Sequence, residues 1–381
     1  MKLAEISPVY KKDDNMCKES YRSVNLLIII SKVFERILVD QMMAYFEHIL
    51  SSSLSAYRKG YNCQHVILRL TEYWRQALDK GYYAGTVAMD LSKAFDRMPH
   101  GLLIAKLHAY GVSKNACNFI ISYLKDRRQR VKIMGNFSDW ANINRGVPQG
   151  SVMGPLLFNI FLNDLFYVKM NCEIANYADD NHLYYAHHCD IALKNTLEMD
   201  TNSAIAWFIN NNMEANPDKF QSIILGRKRD MLIPISVQND IIMPTSSIKV
   251  LGVTLDDRLK FDVHISNICK SASRQINALK RLSRYLDEKS RVLIYKSFIA
   301  SNFNYCPVSW MFCGRKNANK LEKLQERALR FVFNDINGSY TDLLKRGNFL
   351  SLSAYRIRSL AIEVFKCYKD INPLYLNELF S

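Results

Sequence analysis

The sequence contains no apolar run long enough to cross a membrane. Its longest aliphatic stretch, residues 26–30, is followed by the polar residues Ser31 and Lys32, whereas a membrane-spanning helix needs ~20 apolar residues. The first five residues include an acid, Glu5, where a secretory signal has an apolar stretch. We therefore expect an intracellular protein without a signal peptide or a transmembrane segment.

Paired cysteines are also missing. The 9 cysteines are scattered, none forms a Cys-x-x-Cys pair, and the two nearest in sequence, Cys306 and Cys313, have no histidine beside them. This spacing supports neither a zinc site nor a disulfide framework. The adjacent residues His187 and His188 would point to opposite faces of a strand, so we interpret them as structural or surface residues.

Acidic residues are scarce relative to basic ones. The formal net charge is +15 over 381 residues. It is unevenly distributed, because residues 270–330 contain 14 Lys and Arg against 4 Asp and Glu. Such a cluster suits a polyanion, since each neutralised phosphate releases condensed counterions. On charge alone, a solvated helical face stays open as the alternative.

Apolar periodicity predicts a mixed chain of helices and strands. Helical spacing occurs at residues 31–50, 65–78, 102–110, 116–124, 155–168 and 191–211, and from about residue 261 nearly to the end. Short apolar stretches predict a buried strand that ends on Asp90, a hairpin over residues 173–186, and strands at 222–225 and 248–255. Gly111 and Gly135 are predicted breaks.

Three aspartates stand at the ends of predicted strands. Asp90 follows the buried strand, and Asp179 and Asp180 lie at the tip of the hairpin. Two carboxylates ~4 Å apart repel by about 4 kcal/mol at an effective dielectric of ~20, so a cation is expected beside them. Three carboxylates that meet can hold the two metal ions of an in-line phosphoryl displacement, and such hard oxygen ligands suit Mg²⁺. For the Asp-Asp pair alone, a solvated turn is the alternative.

Seven short segments stand in a fixed order over about residues 8–256. In chain order they are residues 21–27 (YRSVNLL), 55–60 (SAYRKG), 90–96 (DLSKAFD), 145–156 (RGVPQGSVMGPL), 177–180 (YADD), 213–220 (MEANPDKF) and 250–253 (VLGV). Together they resemble the two finger motifs and motifs A, B, C, D and E of reverse transcriptases of the non-LTR retrotransposon branch. The basic helical remainder is similar to the C-terminal segment of jockey-like elements. Any single motif would be a weak signal, and the ordered set carries the resemblance.

The resemblance implies a catalytic role for four residues. Asp90, Asp179 and Asp180 would ligate two Mg²⁺ ions, with Mn²⁺ as an alternative ion, and the backbone carbonyl of Leu91 would be a further metal ligand. Lys219 would protonate the leaving pyrophosphate, a general-acid role that a positioned ammonium group can fill.

The resemblance also implies contacts to the incoming nucleotide. Phe95 would lie under the sugar and disfavour a 2′-hydroxyl; without the motif it would be interpreted as a core residue. Gln149 would contact the nucleotide from a loop whose glycines allow close backbone approach. Arg58, together with Arg22 or Lys59, would bind the triphosphate, because guanidinium groups suit phosphate oxygens.

The implied fold is α+β, a right-hand polymerase with fingers, an antiparallel-sheet palm and a helical thumb. We expect the fingers in residues 1–85, the palm in 86–257 with finger-side helices at about 100–140, and a basic helical thumb and C-terminal segment in 258–381. The implied partners are an RNA template, a DNA primer, the RNA–DNA hybrid and dNTPs. The expected location is the nucleus and/or cytoplasm, as a ribonucleoprotein, and the oligomeric state is not predicted.

Some positions depart from the family pattern. Ser23 replaces a usual proline, and Ala56 and Tyr57 replace a usual Gly-Phe pair. Further finger sequence and an endonuclease usually precede the point that corresponds to Met1, so we expect a fragment or a decayed copy. Two alternatives to an active reverse transcriptase stay open. One is a catalytically silent nucleic-acid-binding remnant, and the other is an RNA-dependent RNA polymerase, against which Phe95 and motif B argue.

Overall fold

Strands and helices alternate in the first two thirds of the chain, and helices fill the last third. The computed structural model describes residues 2–11, 14–91, 93–226 and 233–378. The strands are β1 (Leu3–Tyr10), β2 (Tyr21–Leu26), β3 (Tyr83–Met89), β4 (Arg127–Ile133), β5 (Asn136–Phe137), β6 (Ala141–Ile143), β7 (Glu173–Tyr177), β8 (Asp180–His187), β9 (Gln221–Leu225), β10 (Ile235–Val237), β11 (Asp240–Ile242), β12 (Ser247–Val250) and β13 (Val253–Asp256). The helices are α1 (Ile29–Phe46), α2 (Cys63–Asp79), α3 (Ala94–Arg97), α4 (His100–Ala109), α5 (Lys114–Leu124), α6 (Gly154–Leu162), α7 (Asp190–Asn210), α8 (Asp262–Leu282), α9 (Glu288–Ile294), α10 (Ala300–Asn304), α11 (Arg315–Phe333), α12 (Tyr340–Gly347), α13 (Leu352–Tyr368) and α14 (Leu374–Asn377). Within the described residues, no helix has both the length and the apolar character that a membrane span requires.

Four antiparallel strands form the central sheet, in the order β7-β8-β3-β9. The predicted hairpin is confirmed as β7 and β8, which are joined by a two-residue turn at Ala178 and Asp179. The predicted strand before Asp90 is confirmed as β3, which pairs with both β8 and β9. Asp180 is the first residue of β8 rather than part of a loop, which corrects the predicted hairpin tip.

The side chains of β3 alternate between two cores. Val87 and Met89 belong to a core that includes Phe158 of α6. Ala84 belongs to a second core with Trp74 of α2 and with the C-terminal helices. Strand residues two apart share a face, so the residue that follows β3, Asp90, continues the face of Ala84.

A second sheet, the N-terminal sheet, has the strand order β2-β1-β4-β5, with β6 also paired to β4. The sequence does not predict this sheet. Its parallel pairing joins residues 3–6 to residues 128–131, which no local pattern reveals. Pro8 also disguises β1, because proline cannot donate to a strand ladder. Proline is tolerated there because the pairing with β4 ends at Ile6.

The C-terminal helices α8 to α13 pack around the second core. The predicted helical spacing is confirmed in α8 and α11, which bury Ile265, Ile276 and Leu321. The single strand predicted at 248–255 is wrong. The segment forms two strands, β12 and β13, which are joined at Leu251 and Gly252, with φ of 46° and 86°. Two consecutive positive φ angles are typical of a tight hairpin turn.

His264 of α8 links the C-terminal helices to the hairpin β12–β13. The residue is buried, and its Nδ1 accepts a hydrogen bond from the Thr254 N–H at 3.3 Å. Its ring also meets Trp310 edge-on. Burial lowers the pKa of His264 to about 4, and the charge of Lys249 adds to the effect. The fold therefore accommodates the neutral ring.

We predict that His264 lowers the free energy of unfolding as the pH falls from 6.5 to 4. In this window the unfolded chain binds a proton at its ordinary histidine pKa of ~6.5, whereas the folded chain does not. His264→Asn keeps an acceptor for Thr254 but cannot titrate. Between pH 6.5 and pH 4 the free energy of unfolding should therefore fall by up to about 3 kcal/mol less in this variant than in wild type. Urea unfolding at pH 4 and pH 7 measures the difference, with the exposed His108→Asn as control. An equal decrease in the free energy of unfolding from pH 7 to pH 4 in wild type and His264→Asn would contradict the prediction.

Candidate active site

The register of β3 against β8 brings three carboxylates to one edge of the central sheet. Met89 pairs with Asn181, so the next residues along the two antiparallel chains are Asp90 and Asp180. Asp179 lies in the turn that immediately precedes Asp180. Carboxylates from two separate parts of the sequence therefore meet where β3 ends.

The surroundings of Asp179 and Asp180 perturb both carboxyl groups. Partial desolvation by the surrounding chain raises the pKa of Asp180 to about 6, and the charges of Asp179 and Asp90 add to the rise. Partial desolvation also raises the pKa of Asp179, and Asp90 adds to that rise, while Arg22 and Lys11 oppose it. The surroundings thus disfavour the ionised forms, which is the environment that a bound cation relieves.

Two buried asparagines hold the acidic turn in shape. Ala178 has a φ of 57°, a left-handed conformation that costs a non-glycine residue roughly 1–2 kcal/mol. Nδ2 of Asn176 donates to the Ala178 carbonyl at 2.8 Å and to Oδ1 of Asn181 at 2.9 Å. Nδ2 of Asn181 donates to the Asp179 carbonyl at 3.1 Å. The turn carbonyls are therefore bound from within the core, while Asp179 itself is exposed.

The segment that follows α7 lies against the strand end that carries Asp90. Nζ of Lys219 is 3.4 Å from Oδ2 of Asp90, and the Asn216 N–H donates to the Asp90 carbonyl at 3.1 Å. Leu91 forms an antiparallel bridge with Ala215. The structure thus brings the predicted residues Lys219 and Leu91 to the same edge as the carboxylates.

The loop at residues 145–150 rests on α3. Gly146 has a φ of 73°, and a Cβ there would come within 2.6 Å of the Asp96 backbone, so only glycine fits. Nε2 of Gln149 donates to both carboxylate oxygens of Asp96, at 3.0 and 3.1 Å. Burial raises the pKa of Asp96, and the Gln149 bond opposes the rise. Gln149 is therefore held by Asp96, while Ser92 of motif A lies outside the described residues.

Glu35 of α1 anchors the chain just beyond the end of this loop. The sequence does not single out this buried glutamate. Its Oε2 accepts from the N–H groups of Val152 at 2.7 Å and Met153 at 3.2 Å. Its Oε1 accepts from the Tyr123 hydroxyl at 3.1 Å. The two N–H groups precede α6, and a helix start favours a negative charge. One acid inside a predicted helix gives no sequence signal for this role.

Phe95 packs between the rings of Phe158 and Tyr57. Its ring stacks on Phe158 with centroids 4.3 Å apart, and Tyr57 meets it edge-on at 6.3 Å. Burial raises the pKa of Tyr57, and the charge of Asp179 adds to the rise. Phe95 is therefore half-buried between two rings, and one of them, Tyr57, lies within electrostatic range of Asp179. The sequence does not identify Tyr57 as part of the site.

Arg58 is bound to partners of its own. Its guanidinium donates to the carbonyls of Ser51 at 2.7 Å and Leu54 at 3.1 Å, and to Oε1 of Glu47 at 2.7 Å. The residue is 7% exposed and lies over the ring of Tyr61. The predicted contact between Arg58 and a triphosphate finds no support in this geometry, because the guanidinium stabilises the segment between α1 and α2.

Arg22 and Lys11 are cations that the structure does bring near the acidic turn. Arg22 is exposed and stands opposite Val9 in the ladder of β1 and β2. Lys11 follows β1, and its N–H donates to the Ser20 carbonyl at 2.8 Å. Arg22 is one of the residues predicted to bind the triphosphate. Lys11 is not, because its position depends on a hairpin that the sequence does not reveal.

Comparison with known proteins identifies the family. A family model described as reverse transcriptase (RNA-dependent DNA polymerase) matches residues 9–255. The chain belongs to the reverse transcriptase family. It is 30% identical over 352 residues to a probable RNA-directed DNA polymerase from transposon BS of Drosophila melanogaster. It is 27% identical over 375 residues to the RNA-directed DNA polymerase from mobile element jockey of Drosophila funebris. These matches cover 87% and 95% of this chain but only 38% and 40% of the relatives, and they confirm the non-LTR branch.

A solved structure shares the fold. Apo telomerase from Candida tropicalis superimposes with a TM-score of 0.50 at 11% identity, over 90% of this chain and 59% of that chain. At such low identity the likeness concerns the fold alone. Together with the family match, it confirms the predicted α+β right-hand polymerase fold.

Reverse transcriptases use divalent metal ions, and the residues present here fit such ions. Across the described ranges, no three His, Cys, Asp or Glu side chains are close enough to enclose a metal by themselves, and Asp90 is paired with Lys219. A complete cage is not required, because Mg²⁺ keeps several waters and is held through one or two carboxylates plus substrate oxygens. Asp179 and Asp180, whose pKa values are raised, supply the charge that such an ion needs.

We predict that Asp180→Asn stabilises the folded chain at pH 8 but not at pH 4. The pKa of Asp180 is raised to about 6 in the folded chain, above ~3.9 when unfolded, so this residue lowers stability as the pH rises through that window. The residue is exposed, and solvent screening limits the gain to about 1 kcal/mol. Urea unfolding at both pH values measures it, with the exposed Asp240→Asn as control. A variant no more stable than wild type at pH 8 would show that the prediction is wrong.

Proposed function

We propose that this chain is an RNA-directed DNA polymerase that adds deoxynucleotides to the 3′-hydroxyl of a DNA primer on an RNA template. The observation that supports this most directly is the meeting of Asp90, Asp179 and Asp180 at one edge of the central sheet, through the register of β3 and β8. Carboxyl groups whose pKa values are raised, as those of Asp179 and Asp180 are, are typical of functional sites. The chain spans less than half the length of its curated relatives. The activity of the whole relatives therefore enters here as a proposal for this chain.

Asp90, Asp179 and Asp180 would hold two Mg²⁺ ions, for which Mn²⁺ could substitute, with the Leu91 carbonyl as a further ligand. Ions bound in this way stabilise both the attacking and the leaving oxygen of an in-line displacement. The chain itself fixes the carboxylates, through strand register for Asp90 and through the asparagine-bound turn for Asp179. Lys219, whose Nζ is 3.4 Å from Asp90, would donate a proton to the leaving pyrophosphate.

The incoming nucleotide would be held by an aromatic pair, by two cations and by Gln149. The rings of Phe95 and the exposed Tyr57 are in edge-on contact, and Tyr57 lies within electrostatic range of Asp179. The bulky ring of Phe95 would lie beside the sugar and disfavour a 2′-hydroxyl. Arg22 and Lys11 would bind the triphosphate, because both cations lie close enough to Asp179 to lower its pKa. Gln149 would contact the nucleotide through its side-chain oxygen, since its amide nitrogen is bound to Asp96.

We assign the three regions of a right hand as follows. Residues 1–85 form the fingers and 86–257 the palm, with the finger-side segment at about 100–140 contributing β4 and β5 to the N-terminal sheet. Residues 258–381, of which 379–381 lie outside the described residues, form the thumb. Its basic helices would hold the RNA–DNA hybrid. The chain would act in the nucleus and/or cytoplasm, as a ribonucleoprotein with its RNA.

We predict that the chain incorporates dTTP on a poly(rA)/oligo(dT) primer–template and that Asp179→Ala abolishes incorporation. The alanine removes a metal ligand, and the loss of such a group lowers catalysis by about 10³-fold or more. Asp240→Ala, which removes an exposed carboxylate outside the site, should retain activity. Filter-bound labelled product measures the rate, and circular dichroism verifies that both variants fold. Undiminished incorporation by Asp179→Ala would contradict the proposed mechanism.

The ion pair between Lys219 and Asp90 favours one alternative, a catalytically silent nucleic-acid-binding chain, because this cation occupies a carboxylate that would hold a metal. The same assay separates the two functions. Salt-sensitive RNA binding without any incorporation, with either Mg²⁺ or Mn²⁺, would favour the silent chain.

A further inference from the structure

A cavity of about 720 Å³ lies between α4, α5 and the paired strands β4 and β6. We call it the α4–α5 cavity. Its volume falls within the range of about 300–1,000 Å³ that is typical of sites for small organic ligands. The apolar part of its wall consists of Ile104, Ile121, Leu124 and Ile143. The cavity therefore has both the size and the lining to hold a small molecule with an apolar body.

Arg127, the first residue of β4, is a buried cation in the wall of this cavity. The residue is 3% exposed. Its Nε donates to the Tyr123 carbonyl at 2.7 Å, and its guanidinium lies over the Tyr123 ring, 4.2 Å from the centroid. Among the residues that the structure describes, none forms an ion pair with this guanidinium or accepts a hydrogen bond from its two Nη nitrogens. Because a buried charge without a counter-ion is costly, an anion in the cavity would stabilise it.

The start of α4 is a second feature of the cavity that favours an anion. His100 and Gly101, the first two residues of α4, line the cavity. The N-cap residue Pro99 makes no side-chain hydrogen bond to the helix, and the first turn contains no acid. Free N–H groups at the start of a helix carry a partial positive charge and are a common site for anions. A helix start and a guanidinium thus attract the same kind of group from two different elements.

The rim of the cavity is also positive. Lys125 and Arg128 are exposed cations there, against one exposed acid, Asp126. The exposed amide side chains of Asn142 and Asn144 add hydrogen-bonding groups. An anion that approaches from solvent is therefore attracted toward the cavity.

We propose that the α4–α5 cavity binds a small organic anion, with its carboxylate or phosphate on Arg127 and its apolar body against Ile104, Ile121 and Leu124. The anionic head follows from the guanidinium, whose paired N–H groups match two oxygens of a carboxylate or a phosphate. The apolar body follows from the wall, because covering these side chains removes their apolar surface from water.

The proposed site adjoins the loop at residues 145–150. Nε2 of His100 donates to the Gly146 carbonyl at 2.7 Å, and His100 also lines the cavity. The ligand would therefore lie beside the residue that holds the start of the loop that carries Gln149.

Isothermal titration calorimetry on the full chain tests the site with four probes: 2-naphthoate, 2-naphthyl phosphate, neutral 2-naphthamide and inorganic phosphate. We expect at least one naphthyl anion to bind about tenfold or more tightly than the amide, because hydrogen bonds to charged groups are the stronger ones. The tighter of the two anions identifies the head group. Inorganic phosphate should bind about tenfold or more weakly than that anion, because it has no apolar body.

Two variants locate the binding in the cavity. Arg127→Met keeps an apolar stem over Tyr123 but removes the guanidinium. Gly101→Phe leaves Arg127 intact and places a ring in the cavity, since a Cβ at Gly101 meets nothing within 4 Å. Both should weaken binding of the naphthyl anion about tenfold or more. Gly314→Phe, which adds the same ring at another position where a Cβ meets nothing within 4 Å, should bind as wild type does.

Circular dichroism verifies the fold of each variant, and Gly101→Phe decides alone if Arg127→Met does not fold. Equal affinity for the amide and the naphthyl anions would overturn the proposal, as would undiminished binding in Gly101→Phe or a wild-type chain that binds neither anion. Inorganic phosphate that binds as tightly as the naphthyl anions would overturn the organic ligand. Primer extension plays no part in these measurements, so they decide the cavity independently of the proposed function.

Discussion

The pairing of Met89 with Asn181 is the constraint on which the candidate site depends. Strand side chains alternate, so a slip of one residue between β3 and β8 would move Asp90 to the opposite face, away from Asp180. The register is held because Val87 and Met89 fill one core while Ala84 fills the other. Burial on both faces of the sheet therefore specifies the position of a carboxylate that lies beyond the end of the strand.

This arrangement makes the site electrostatically unfavourable in itself, and the compensating charges come from distant segments. Lys219 approaches Asp90 from the segment after α7, and Arg22 and Lys11 approach Asp179 from the N-terminal sheet. Arg22 and Lys11 thus depend for their positions on one sheet, whose strands β1 and β4 are joined by pairing remote in sequence.

The sequence predicts those features that local patterns specify. The strand before Asp90, the acidic hairpin and the amphipathic helices each follow from apolar spacing over a few residues. The N-terminal sheet is missed because its parallel pairing is remote and because Pro8 interrupts the strand pattern. Arg58 illustrates a different limit. A motif shows that an arginine stands at a position, but only the fold shows that Glu47 and two carbonyls already occupy its guanidinium.

Glu35 shows how such remote contacts reach the candidate site. The loop at residues 145–150 is fixed at its start by Gly146, which packs on the Asp96 backbone, and just beyond its end by the bonds from Glu35 to Val152 and Met153. Between these two points Gln149 is held by Asp96. A loop fixed at three points has little freedom to move, so a carboxylate on α1, more than 100 residues earlier in the chain, contributes to the position of Gln149. A substitution at Glu35 would therefore loosen the loop that carries Gln149, although Glu35 lies in none of the seven motifs.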